Sequence, residues 1–370
     1  MSMPEQITEV GRWFCYATRE GIHSLTSPGD ERSSNNAPLQ GSRERWKTLI
    51  FPMALIQLLG LTQGLVQMSG LALMNNAVQK PILEYLIRCL ILLVICNPIL
   101  IWLYGFKNYL FVFDARAWTY LGFVFLDFIA YRLAIAGESF MPRAYNTCLP
   151  ALVTLMTFFI TSILLRVRFN RYHLIALLIS CLSLGLIIWG DQAVSLNYFK
   201  DIQKKIITGI TCTVLSSLVK ALSFLTLEAI LRQFPILELL SFYGLFGLFT
   251  SFLFMVFVDS YEFTSINWSG VTAGYLILSG MSSSLALLLT AKISQKWGTA
   301  FSSLADFTSR PWYMGLARLG FSNVPSFPTQ FQHGLAYLLV TLSQVLFVYK
   351  PAVVVYDSTY KLNFYRRPQS

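Results

Sequence analysis

Eight polar side chains stand inside otherwise apolar stretches, and they are the residues of this chain best placed to do chemistry. Glu84 and Arg88 are four apart, so one helix face carries both and they can pair as ions. That pair could clamp an anion through Arg88, with Glu84 holding the guanidinium until a ligand arrives, or it could simply stabilise its helix. Asp127 stands one turn before Tyr131 and close to Arg132. A carboxylate in such a place can hold a cation or a proton, accept from a ribose-like hydroxyl, or pair with a base on another segment. Lys220, flanked by Ser216, Ser217 and Ser223, can attract an anion or neutralise Asp127 or Asp306. Asp306 and Arg310 are again four apart, and Pro311 follows. That pattern reads as a broken helix turning its polar groups to a cavity, or as a poorly inserted segment. Asn146, with Tyr145, opens a further apolar run and faces its mouth. The candidate substrate-binding set is therefore Glu84, Arg88, Asp127, Tyr131, Asn146, Lys220, Asp306 and Arg310.

These residues bind; they do not form a reactive centre. There is no His-Glu-x-x-His, no Gly-x-Gly-Asp with a paired aspartate, and no intramembrane histidine beside an acid. His23, His173 and His333 are scattered, and the six cysteines form no Cys-x-x-Cys. No metal, cofactor or catalytic residue is expected. Cys89, Cys96, Cys148, Cys181 and Cys212 lie in apolar runs and read as small hydrophobes.

The elements that must position the charges follow from composition. Of 370 residues, 55% are hydrophobic and 12% charged, and a soluble domain carries about twice that charged share. The net charge of +10 falls mostly on loops between apolar runs, where Lys and Arg mark orientation; nucleic acid is not an expected partner. Ten runs approach the roughly 17–25 residues a span requires, beginning at Thr48, Pro81, Trp118, Pro142, His173, Ile206, Ile236, Gly270, Gly298 and Leu335. Their length and continuity exclude barrel strands, so they are helices. The expected fold is an all-α membrane protein of about ten transmembrane helices. Residues 1–46 read as a disordered tail without a signal peptide, and 353–370 as a second tail. The basic residues of the even loops outnumber those of the odd ones, which puts both tails in the cytoplasm. The sequon at Asn267 then falls on the opposite face. Residues 47–196 and 204–352 form two five-helix sets of nearly equal length. An odd-numbered unit re-enters the membrane inverted, and such repeats shelter a site at their interface. Gly60 and Gly64 on the first helix let a neighbour approach closely, with Gln57 and Gln67 on the same stripe.

Several motifs resemble the F branch of solute carrier family 35, in the drug/metabolite transporter superfamily. From Glu228 to Gly247 the chain carries an acid at the end of the sixth span, Arg232 with Gln233 in place of a second base, Glu238, and then Gly244 to Gly247. Asp127 with Ala130 and Tyr131 is similar to the branch's Asp-x-x-x-Asn-Tyr. Leu304 to Phe307 is similar to Thr-Ala-Asp-Phe, and Arg171 to Asp191 to its fifth span. The likeness covers residues 45–352. It implies a ten-helix fold of two inverted repeats that moves an organic solute, with the lipid bilayer as surroundings and a second copy of the chain as a candidate partner. The chain departs from the branch at Glu84 and Arg88, where polar uncharged residues are usual, at Lys220, where an aromatic is usual, and at Ser309 to Trp312. A positive cavity lining would favour an anionic or nucleotide-like solute. The other reading is a membrane scaffold or receptor-like protein on the same fold. The sequence leaves Golgi, endosome and plasma membrane open.

Overall fold

The computed structural model describes residues 40–75, 81–140, 148–164, 167–192, 203–257, 269–320, 330–349 and 353–354. The chain divides into two compact units, Met1–Thr48 and Leu49–Ser370. Of the first, residues 40–48 are described and are helical; the packing reported below belongs to the second.

Eleven helices occur among the described residues. They are α1 (Gln40–Asn75), α2 (Pro81–Tyr104), α3 (Phe106–Phe140), α4 (Cys148–Leu164), α5 (Arg171–Gln192), α6 (Gln203–Gln233), α7 (Ile236–Phe257), α8 (Gly270–Trp297), α9 (Thr299–Ser303), α10 (Asp306–Gly320) and α11 (Gln330–Tyr349). Two short strands, β1 (Val167–Arg168) and β2 (Val353–Val354), pair antiparallel, Val167 opposite Val354. Among the described residues six segments are long and apolar enough to cross a membrane: Ile50–Gly70, Ile82–Tyr104, Arg116–Gly137, Ile207–Gln233, Ile236–Phe257 and Gly270–Trp297. Three more apolar helices, Leu152–Ile163, Arg171–Ser183 and Leu335–Val348, are shorter.

The boundaries differ from the sequence reading in four places. Residues 40–46, expected in the tail, extend α1. The stretch expected as a loop before Trp118 is helical from Phe106, and only Gly105, at φ +76°, separates α2 from α3. Lys107 and Arg116 therefore sit on a helix rather than a loop. The ninth run does break, but at Leu304–Ala305 rather than Pro311. There the bonds from Leu304 N to Phe301 O (3.2 Å) and from Ala305 N to Ser302 O (3.1 Å) tighten the backbone to an i→i+3 turn. Finally, Val353 and Val354, placed in the C-terminal tail, pair with β1.

Glycines and other small residues set how closely the helices approach. The most extensive pairings are α3 with α6, α2 with α7 and α5 with α11; α4 with α6, α2 with α8 and α3 with α7 follow. A Cβ on Gly244 would stand 2.6 Å from Leu93 N, so α7 rests on the backbone of α2. Gly280 brings α8 against Ile87 and Ile91 of the same helix. Gly64 lets α1 lie against the backbone of α10, where a Cβ would be 2.9 Å from Tyr313 N, and Gly60 meets Thr308. The small-xxx-small stripe of α1 is thus a packing surface.

Polarity runs opposite to that of a soluble bundle. Trp102, Trp118 and Phe257 are each more than four-fifths exposed, while Ser217, Ser241, Ser251, Thr154 and Ser303 are fully buried. Most of these hydroxyls donate to backbone carbonyls, as Thr154 does to Ser303 O at 3.1 Å and Ser251 to Gly247 O at 2.7 Å. An apolar exterior around a hydrogen-bonded interior suits a hydrocarbon surround.

Candidate functional site

Asp127 and Lys220 each fall at the middle of an apolar segment, on α3 and α6. A lone charge there costs at least about 2.5–3.5 kcal/mol on insertion scales, so each needs a partner. They find one another: Lys220 Nζ lies 2.5 Å from Asp127 Oδ1. The other carboxylate oxygen takes Arg88 Nη2 of α2 at 3.1 Å. Tyr243 of α7 closes the cluster, with its hydroxyl bonded to both Arg88 and Asp127 and 2.9 Å from that of Tyr85. The Arg88 guanidinium lies over the rings of Tyr85 (4.3 Å) and Tyr243 (5.1 Å), and Lys220 lies over Phe224. Tyr131 packs on Tyr85 with ring centroids 5.3 Å apart.

Two cations against one carboxylate leave this triad with one positive charge. Its exposure is uneven. The Asp127 and Arg88 side chains are 5% and 16% exposed, whereas Lys220 is 35% exposed. Among the described residues Arg88 Nε is buried without a hydrogen-bond partner, and so is Ser223 Oγ, one turn from Lys220. Unpaired buried donors are rare, and both stand beside the triad.

The expected pairing of Glu84 with Arg88 is replaced. Arg88 turns across to α3, and Glu84 accepts from Ser279 of α8 at 3.2 Å. The physical reason is depth: Asp127 is the more deeply buried carboxylate and gains more from a cation.

The second pair of candidates belongs to a different cluster. Asp306 opens α10 and accepts from Gln63 Nε2 of α1 at 2.6 Å. Gln67 reaches Ser309 at 3.3 Å. Gln57 accepts from Trp312 Nε1 (3.2 Å) and Tyr337 Oη (3.0 Å), and donates to Gln344 of α11 (3.0 Å). The α9 turn just before Asp306 packs on α6, the helix of Lys220, and Lys220 lies within electrostatic reach of Asp306. Asn146 and the Arg310 side chain lie outside the described residues.

Two further carboxylates tie helices together. Glu238, 1% exposed, takes Arg116 Nη1 at 2.8 Å and the Tyr120 hydroxyl at 2.5 Å, joining α3 to α7. Glu228 of α6 accepts from Thr299 N (3.0 Å) and Thr299 Oγ1 (2.6 Å), and it pairs with Arg232. It thereby holds the α8–α9 junction at Gly298, whose φ is +87°. Sequence reasoning missed Tyr85, Tyr243 and Gln63. Hydroxyl and amide side chains on otherwise apolar stripes were the signal for all three.

The described chain is helical, apolar outside and polar within, with several membrane-crossing segments: an integral multi-pass membrane protein. It belongs to solute carrier family 35, F branch, whose family model matches residues 44–350, and that family consists of transporters rather than enzymes. No curated protein matches the chain. Twenty-five chains of solved structures do. One, titled "Crystal structure of protein", aligns at 14% identity with a TM-score of 0.56, covering 79% of this chain and 95% of that one. At that identity the likeness concerns the fold alone.

Proposed function

We propose that this protein carries an organic anion across a membrane by alternating access, with the Arg88–Asp127–Lys220 triad at its binding site. The chain would cross ten times, as two inverted five-helix repeats over residues 47–196 and 204–352, with α9 and α10 together forming the ninth crossing and both termini in the cytoplasm. Packing supports the repeats. Numbering the crossings 1 to 10, a two-fold exchange pairs 1 with 6, 2 with 7, 3 with 8, 4 with 9 and 5 with 10. The close pairs 2·7 and 5·10 then map onto themselves. Pair 2·8 maps onto 7·3, and 4·6 maps onto 9·1, the approach made through Gly60 and Gly64. These exchanged pairs are what an internal symmetry axis in the membrane plane produces, whereas the most extensive pair, 3·6, has no comparably extensive counterpart in 8·1 among the described residues.

The observation that carries the function is the triad itself. Its members come from α2 and α3 of one half and α6 of the other, it holds one surplus positive charge, and its lysine is the exposed member. A negatively charged solute between the halves would compete with Asp127 for Lys220 and Arg88. Rocking of one half against the other would then open and close access to it.

One observation favours a second reading, a membrane scaffold on a carrier fold: Arg88 and Asp127 neutralise each other at low exposure. Uptake into proteoliposomes separates the two. The panel comprises nucleotide-sugars, nucleosides and thiamine-like cations. Saturable uptake of an anionic member, impaired in Asp127→Asn and in Lys220→Ala at normal expression, supports carriage. Folded protein that moves none of them supports the scaffold, and normal uptake in both variants removes the triad from the site.

A further inference from the structure

Asp306 differs from Asp127, Glu238 and Glu228 in having neither a cation nor a backbone N–H among the described residues. Asp127 has two cations, Glu238 has Arg116, and Glu228 has Arg232 and the Thr299 amide. Asp306 forms no ion pair among the described residues, and its carboxylate accepts from one neutral amide, Gln63 Nε2. That amide has its own carbonyl, Gln63 Oε1, buried without a partner. Among the described residues few titratable groups face Asp306, and α4 and α9, which also pack on α10, present none. Lys220 of α6 acts on it electrostatically but is bonded to Asp127. Tyr337 of α11 is engaged with Gln57. On its own helix, Arg310 has its side chain outside the described residues. No titratable side chain of α1 among the described residues meets it, since that helix presents glutamines and glycines here.

From this geometry we infer that Asp306 is a proton-binding site that couples proton uptake to occupancy of the Arg88–Asp127–Lys220 triad. The inference rests on the carrier reading for the word coupling, but not for the proton site. A carboxylate inside the bundle is costly while it is charged and lacks a counter-ion. Taking a proton from water forms one O–H bond on a carboxylate oxygen and removes that charge. Gln63 suits both states, because an amide donates N–H to a carboxylate and, turned over, accepts from a carboxylic acid through its oxygen. A sodium ion would need several oxygen ligands; the amide presents nitrogen to Asp306, and no other side-chain oxygen meets that carboxylate among the described residues.

Charge arithmetic supplies the coupling. Among the described side chains, with Asp306 ionised, Arg88 and Lys220 balance Asp127 and Asp306, and the two clusters together are neutral. With Asp306 protonated, one positive charge is left on Lys220 and Arg88, and a monoanion restores neutrality. Proton and anion therefore load together. Lys220, placed to feel both carboxylates, is the group through which the two events communicate. The i→i+3 turn at Leu304–Ala305 directly precedes Asp306, so a change of charge there acts at a hinge.

The test uses the full-length protein in lipid without any solute. Infrared spectra are recorded as the pH falls from alkaline to mildly acidic, following the carboxylic-acid C=O stretch, first without sodium and then with it. We expect an acid band that grows on acidification, is lost in Asp306→Asn, persists in Asp306→Glu, and moves in frequency in Gln63→Leu. Thermal unfolding of each variant confirms that it is folded. A band that persists unchanged in folded Asp306→Asn, no acid band in the wild type, or a band that sodium abolishes at fixed pH each overturns the assignment. The result is separable from transport: a titrating Asp306 with no solute uptake leaves the proton site standing and removes carriage. Anion uptake that a pH gradient does not accelerate in the wild type removes the coupling alone.

Discussion

Lys220 Nζ and Asp127 Oδ1, 2.5 Å apart, join the midpoints of α6 and α3, the two helices that pack most extensively on each other. Because Arg88 holds the second oxygen, the carboxylate is shared and its removal is felt twice. Asp127→Ala leaves two cations facing each other inside the bundle, whereas Lys220→Met leaves the Arg88–Asp127 pair intact. Asp127→Ala should therefore lower stability by about 3–5 kcal/mol, and Lys220→Met by clearly less. Asp127→Asn combined with Lys220→Met should melt above Asp127→Asn alone, because the uncompensated lysine is gone. Thermal unfolding in detergent micelles measures all of these, and equal melting of the two single variants would contradict the shared carboxylate.

Glu238 anchors α7 to α3 through Arg116 and Tyr120. Tyr120→Phe removes one hydrogen bond to a charge, and a loss of about 2 kcal/mol is expected. Glu238→Ala strands the half-buried Arg116 as well and should cost about 3 kcal/mol or more. The same unfolding assay checks the order.

Two glycines in apolar helices make opposite predictions. Gly244→Ala drives a methyl group into the α2 backbone at Leu93, for a loss of about 1–3 kcal/mol. Gly274→Ala on α8 meets nothing within 4 Å and should gain roughly 0.5 kcal/mol through chain entropy. A destabilising Gly274→Ala or a neutral Gly244→Ala would count against the described packing.

Glu228 fixes the start of α9 by accepting from the Thr299 amide and hydroxyl. Glu228→Ala should raise hydrogen exchange at the Thr299 amide by more than tenfold, corresponding to about 1.5 kcal/mol or more of lost local stability. Glu228→Gln retains an acceptor and should recover part of the protection. Exchange that is unchanged in both variants would show that Gly298 and the helix ends hold the junction without this side chain.

The helical, membrane-embedded character of the chain was legible because the bilayer imposes it: apolar runs of span length have no other way to satisfy their backbone. Family membership was legible from the order of Glu228, Glu238, Gly244 and Gly247, and each now has a structural task in capping, anchoring or close approach. Partner choice was less legible. Spacing of four joined Glu84 to Arg88 on paper, yet the burial of Asp127 outbid Glu84 for the guanidinium. The sequence lets Lys220 either attract an anion or neutralise Asp127 or Asp306; in the structure it bonds to Asp127. Gln57 and Gln67 drew notice as one stripe with Gly60 and Gly64, while Gln63, off that stripe, is the residue that meets Asp306. Local periodicity ranks positions along one helix, and it carries little information about which distant helix supplies the partner.

Gly105 leaves α2 and α3 almost no slack. With one residue between them, in a left-handed conformation that side chains rarely adopt, the two rods can swivel about a common joint but cannot drift apart. Arg88 rides on the first and Asp127 on the second, each many turns from the joint, so their ion pair pins the two rods together far from where the chain itself joins them. Lys220 reaches the same carboxylate from α6, so it is the one link of the triad that fastens this hairpin of rods to a separate helix.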